Sequence, residues 1–204
     1  MPTPPRTARP RVLLACAGLD HALRGFESFA RECFDVLRDD PGLDIELVKG
    51  SGPPGLRERS IPTLRRDSAL ARALGRASGR DPFRFEHLEF AFSLQPLIVR
   101  HDPDLIYLSE WHTGLGLAWL RRATRRRYRL LLNNGTMSVD GFDHLDHVQQ
   151  LTPVALETVL EHGADPARHT MLPLGFSIDS AFDPVGGSSS PSPRSTATTS
   201  GSTI

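Results

Sequence analysis

Residues 11–17, Arg-Val-Leu-Leu-Ala-Cys-Ala, form a continuous apolar run of strand length that Gly18 cuts off. A run without polar alternation suits a central parallel strand covered on both faces. Phe26, Phe29, Ala30, Cys33, Phe34 and Leu37 then recur at helical spacing, and Asp39-Asp40-Pro41-Gly42 supplies the stop. Residues 43–48 return to a strand pattern. Strand, helix and strand so close together make a βαβ unit, and its right-handed crossover makes the sheet parallel.

The pattern weakens over residues 49–80. Gly50-Ser51-Gly52-Pro53-Pro54-Gly55 opens a loop, and residues 61–76 are Arg-rich and moderately helical, which reads as an excursion outside the sheet. Asp81-Pro82 starts a helix dense in Phe83, Phe85, Leu88, Phe90, Leu94, Leu97 and Ile98, ended by His101-Asp102-Pro103. Residues 104–108 predict a strand, 114–124 a helix, and 128–132 a strand that ends at Asn133-Asn134-Gly135. The last portion repeats the alternation: a strand at 147–151, Thr152-Pro153 as cap and first turn, a helix at 154–162, Gly163 as stop, and a strand at 169–174. Six strands alternating with helices predict a Rossmann-like, doubly wound parallel α/β sheet with ligand contacts at the carboxyl ends of the strands.

Composition sets the limits of that domain. Residues 1–10 read as a flexible leader and 11–183 as one domain of ordinary size. Residues 184–204 are so rich in Ser, Thr, Gly and Pro that they are expected to be disordered. Twenty-four Lys and Arg against 24 Asp and Glu leave no net charge, so nothing in the balance asks for nucleic acid. The apolar run after the leader is too short for a signal peptide and no stretch reaches membrane-span length, so the cytoplasm is the default location. Cys16 and Cys33 read as buried small hydrophobes, not as a disulfide framework. The Arg run from Arg121 to Arg129 reads as the solvated end of a helix, with peripheral membrane contact as its functional alternative.

Candidate chemistry gathers where strands end. After the first strand, Gly18 and Gly25 flank Arg24 just ahead of a helix that begins with Glu27, so backbone and helix N-terminus could meet an anion; the glycines are too far apart for a dinucleotide fingerprint, and a plain βα turn is the other reading. Glu110, Trp111 and His112 follow the strand ending at Leu108. There a carboxylate and an imidazole can work as acid, base or hydrogen-bond partner to a sugar hydroxyl, and an indole can stack on a sugar face; a capping turn with a half-buried Trp is the alternative. Asn134, at the next strand end, suits a polyhydroxyl ligand. Asp143-His144-Leu145-Asp146-His147 argues against a metal site, because alternation sends Asp146 and His147 to opposite faces and no third ligand lies nearby. No cofactor is called for.

Several phrases together resemble the N-terminal domain of family 4 glycosyltransferases of the two-domain GT-B architecture. Arg24-Gly25-Phe26-Glu27 is similar to that family's glycine-containing loop and following helix, and His101-Asp102-Pro103-Asp104-Leu105-Ile106-Tyr107 to its strand entry. Residues 146–160 are similar to its strand and helix before the domain crossover, and Pro173-Leu174-Gly175 with Asp179 and Phe182 to the phrase that closes the domain, with Leu174 where Asn is usual. The resemblance implies a sugar-containing acceptor bound by this half and a nucleotide-sugar donor bound only with a second domain. It implies His112 and Glu110 as catalytic candidates, with Gly18, Arg24, Gly25, Glu27, Trp111 and Asn134 lining the substrate. Since no donor domain follows residue 183, the sequence predicts a truncated, inactive transferase half. A non-catalytic sugar- or partner-binding module and a nonfunctional fragment stay open beside it.

Overall fold

The computed structural model describes residues 9–22, 25–79, 81–135 and 141–173. The tail expected to be disordered, the closing phrase from Leu174 to Phe182, and Arg24 lie outside them. Seven parallel strands make one sheet: β1 (Arg11–Cys16), β2 (Asp44–Lys49), β3 (Glu58–Ser60), β4 (Leu105–Leu108), β5 (Arg129–Asn134), β6 (His147–Gln150) and β7 (His169–Met171). Their order is β3-β2-β1-β4-β5-β6-β7, so the winding direction reverses between β1 and β4. The Rossmann-like α/β sheet read from the sequence is therefore the fold.

Strand β1 shows why its apolar run is unbroken. Val12, Leu14 and Cys16 enter one core with Ala30, Phe34, Ile45 and Tyr107, whereas Leu13, Ala15 and Ala17 enter the other with Phe90, Leu94, Ile98, Ile106 and Leu130. Helix α1 (Gly25–Leu37) covers the first face. Helices α3 (Pro82–Ser93) and α5 (Trp111–Thr124) cover the second and pack closely, because a side chain at Gly116 would come within 2.8 Å of the Ala91 Cβ. Helices α2 (Ala69–Ser78), α4 (Gln95–His101) and α6 (Pro153–Glu161) complete the layers.

Three expectations change. The excursion over residues 49–80 contains a sheet strand, β3, which has no apolar residue and pairs with β2 at Leu47, Val48 and Lys49. Ion pairs from Glu58 to Arg31 and Lys49, and from Arg59 to Glu46, hold it in place of a hydrophobic pattern. The single helix read over 82–101 is two, parted at Leu94: Pro96 has no N–H for the carbonyl of Phe92, and its ring crowds that turn. Helix α5 begins at Trp111, not near Gly114, so Trp111 and His112 stand in its first turn, not in a loop before it.

Candidate functional site at the sheet reversal

The crevice outside the strand ends, where winding reverses, is where open α/β sheets take their ligands. Here that place lies beyond Cys16 of β1 and Leu108 of β4. Three buried side chains meet at it: the ligand-capable atoms of Cys16, Glu27 and Glu110 all lie within 4.8 Å of one another. Glu27 is 3% exposed and occupies the first turn of α1, where a carboxylate complements the helix dipole. Glu110, also 3% exposed, occupies the N-cap position of α5 with extended backbone and makes no side-chain cap hydrogen bond. A thiol and two carboxylates at this spacing are donors that a divalent ion could use, and Glu110 can equally accept from a hydroxyl.

Each proposed residue among the described ones has a definite setting. Gly18 turns the chain after β1, its carbonyl accepting from the N–H groups of His21 (3.2 Å) and Ala22 (2.8 Å). Gly25 opens α1 with open space where a Cβ would stand. Trp111 is half-buried against the loop after β5: its Nε1 donates to the Gly141 carbonyl at 3.2 Å, and Gly141, at φ 85°, leaves only 2.7 Å between a would-be Cβ and the indole. Asn134 ends β5 inside the sheet and donates to Gln150 Oε1 at 2.9 Å, and Gln150 in turn meets His169 Nδ1 at 3.1 Å. The Asn133-Asn134 pair thus belongs to the strand, which runs two residues past the 128–132 read from the sequence.

His112 is half-buried, edge-on to Phe83 at 5.7 Å and to Trp111 at 4.9 Å. Burial holds its pKa below the ordinary histidine value; the Arg84 charge pushes the same way, against Asp81. The imidazole is consequently neutral near pH 7, with one ring nitrogen able to accept a proton. Gly25, Glu27, Glu110 and His112 all stand at the carboxyl edge. Phe26 joins α1 to the end of β5, because its ring occupies the space that a Cβ at Gly135 would need.

The loop leading from β1 to α1 is pinned by charges that the hydrophobic pattern did not reveal. Asp20, at φ 69°, pairs with Lys49, whose ammonium is 3% exposed and also reaches Glu58 at 2.9 Å. Burial opposes the Lys49 charge, but hydrogen bonds to Asp20 and Glu58 outweigh it and raise its pKa. Next to it, His21 meets Ser51 Oγ at 3.2 Å and Glu86 at 2.7 Å, and Glu86 pairs with Arg66 at 2.5 Å. A lone lysine among 23 arginines was the one available sequence signal for this network. Away from the site, a cavity of about 550 Å³ opens at the amino edge between β2, β3 and α4; its Glu46 is already paired with Arg59 and His101.

No protein-family model matches the chain, and no curated protein matches it by sequence. Solved structures do. The apo form of the lipopolysaccharide outer core galactosyltransferase WaaB is similar over 84% of this chain and 47% of its own, at 10% identity and a TM-score of 0.56. Sucrose-phosphate synthase from Thermosynechococcus elongatus is similar over 81% of this chain and 48% of its own, at 12% identity and a TM-score of 0.55. The chain therefore spans about half the length of these GT-B glycosyltransferase structures, and at such identities the likeness is one of fold.

Proposed function

We propose that this domain is the acceptor-side half of a sugar transferase, working with a second domain that holds a nucleotide-sugar donor. The meeting of Glu27 and Glu110 at the sheet reversal, with a neutral His112 in the first turn of α5, is the observation that carries the reading. A sugar acceptor must present one hydroxyl and have its other hydroxyls held. Glu110 supplies an acceptor for such a hydroxyl, and His112 can take the proton of the attacking one as bond formation proceeds. Gly18 and Gly25 bound the loop above them, while Trp111 and Asn134 border the same edge. The donor diphosphate needs positive charge as it leaves, and the second domain would supply it, so the 204-residue chain alone transfers no sugar on this reading.

A non-catalytic sugar-binding module is the second reading. It is favoured by the internal hydrogen bonds that already occupy the Trp111 indole and the Asn134 amide. The two part in one experiment, with the chain fused after Phe182 to the C-terminal domain of a GT-B transferase of known donor. Transfer from that labelled nucleotide sugar to a glycan panel is then measured for the fusion, for its His112→Ala form and for the 204-residue chain. The transferase reading expects turnover by the fusion alone and a loss of about 10² to 10⁴ on removing the imidazole. A loss under about threefold would return His112 to a packing role, and robust transfer by the unfused chain would refute the two-half reading.

A further inference from the structure

Six arginines crowd the end of α5 and the start of β5: Arg121, Arg122, Arg125, Arg126, Arg127 and Arg129. Together with Tyr128 and Asp146 they line an open concavity of about 450 Å³. Asp146 is the one carboxylate in it, and Arg121 is already engaged, bonding Asp146 and the carbonyls of Tyr128 (2.9 Å) and His144 (3.1 Å). Among the described residues, no ion pair neutralises the other five. The helix dipole accounts for cations in the last turn, Arg121 and Arg122. It does not account for Arg127 and Arg129, which lie beyond the helix and gather on the same concavity at the cost of mutual repulsion.

Immediately beside this charge stands an uncovered aromatic pair. Trp119 is 61% exposed and Phe92 51% exposed, with ring centroids 6.2 Å apart across the α3–α5 contact. Trp119 and Arg122 are three apart on α5 and hence neighbours on its surface. Large aromatic side chains left in water next to clustered guanidinium groups match a bilayer surface, where the rings sit at headgroup level and the cations meet anionic lipid. A soluble polyanion would use the arginines and leave the rings wet.

We propose that this surface, the α3–α5 aromatic pair with the arginines at the end of α5, docks the domain on an anionic membrane. The inference stands independently of the transferase reading, since none of its residues belongs to the sheet-reversal site. In the test, the full chain is mixed at low salt with vesicles of phosphatidylcholine alone or with about one third phosphatidylglycerol, and sedimentation is read alongside tryptophan emission. Binding is expected only to the anionic vesicles, to fall steeply as salt rises toward 0.5 M, on the order of the screening expected for surface charge, and to bring a blue shift that is absent from Trp119→Phe. Each arginine near the surface contributes about fivefold, so Arg122→Gln, Arg127→Gln and Arg129→Gln combined should weaken partitioning on the order of a hundredfold. All three are exposed, and an unchanged melting temperature verifies that the variant is folded.

Absence of binding to the anionic vesicles at low salt would overturn the proposal. So would binding that survives the triple substitution, or binding without the Trp119 shift. Equal affinity for a short oligonucleotide at the same phosphate concentration, competing with the vesicles, would also overturn it in favour of a general polyanion site.

Discussion

Gly50 should be the least replaceable glycine of the sheet. It follows β2 directly, and a Cβ there would overlap the carbonyl oxygen of Ala17 while lying 2.9 Å from Thr63 Oγ1. Ala17 is backbone at the end of β1, and β1 and β2 are locked in register from Arg11↔Asp44 to Cys16↔Lys49, so neither side can swing away as a side chain would. Relief requires the two strand ends to separate just below the β1–α1 loop. Forced overpacking of a core costs about 1–3 kcal/mol, and a backbone neighbour puts Gly50→Ala at the upper end. For a domain of this size about 3 kcal/mol lowers the melting temperature by roughly 6–12 °C. Two internal controls calibrate the value. Gly116→Ala meets the Ala91 Cβ at 2.8 Å across the α3–α5 contact and should cost about 1–2 kcal/mol. Gly114→Ala meets only Leu108 and Leu145 methyl ends at 3.1 Å, and the helix preference of alanine over glycine, about 1 kcal/mol, should leave it near neutral. Thermal unfolding followed by circular dichroism ranks the three. A Gly50→Ala protein melting within 2 °C of wild type, or above Gly114→Ala, would refute the close approach of the β1 and β2 ends on which the candidate site rests.

Two further outcomes follow from charges around the site. Lys49→Met removes the buried cation between Asp20 and Glu58, leaving them only Arg31, and should cost about 2 kcal/mol in a denaturant titration; an unchanged midpoint would mean the pair is solvated and does not pin the loop. Burial is the leading cause that depresses the pKa values of His112, His144 and His169. Because the folded values lie below the unfolded one, these groups contribute stability that is complete above about pH 6.5 and is lost as pH falls through their folded values. Melting temperature should drop between pH 7.5 and 5, and replacing any one of the three with a non-titrating residue should flatten part of that drop; a flat profile in the wild type would contradict the burial.

Where side chains bury on both faces or on one stripe, the hydrophobic pattern was enough to find the element. Past their first residues, 11–17 and 104–108 read as strands because each is apolar on both sides and the sheet buries both sides, whereas 43–48 carries Asp44 and Glu46 on one side and reads as a strand from Ile45, Leu47 and Val48. Strand β3 escaped because Glu58-Arg59-Ser60 is an edge held by ion pairs to residues 9 to 27 positions away, an arrangement that local periodicity cannot express. The break at Leu94 was legible in principle: Pro96 inside an otherwise helical pattern places it, but the density of Phe and Leu on both sides masks the interruption.

The candidate site was half legible for a related reason. Strand ends pointed to Gly18, Glu110 and Asn134, since topology alone sends ligands to the carboxyl edge. What the pattern could not supply was the partnership of Glu27 with Glu110 and Cys16, residues far apart in sequence that meet only because β1 and β4 are neighbours in the sheet. A signal existed. Ala30 and Phe34 define the buried stripe of α1, and carrying that stripe back one turn lands on Glu27, a carboxylate where the packing calls for an apolar residue. Burying a carboxylate is costly unless something meets it, so a charge on the core-facing stripe in the first turn of the helix after β1 marks a place where packing alone does not explain the residue. Cys16 could not be found this way, because a small apolar-like side chain ending a buried strand fits the core pattern and carries no contradiction to notice.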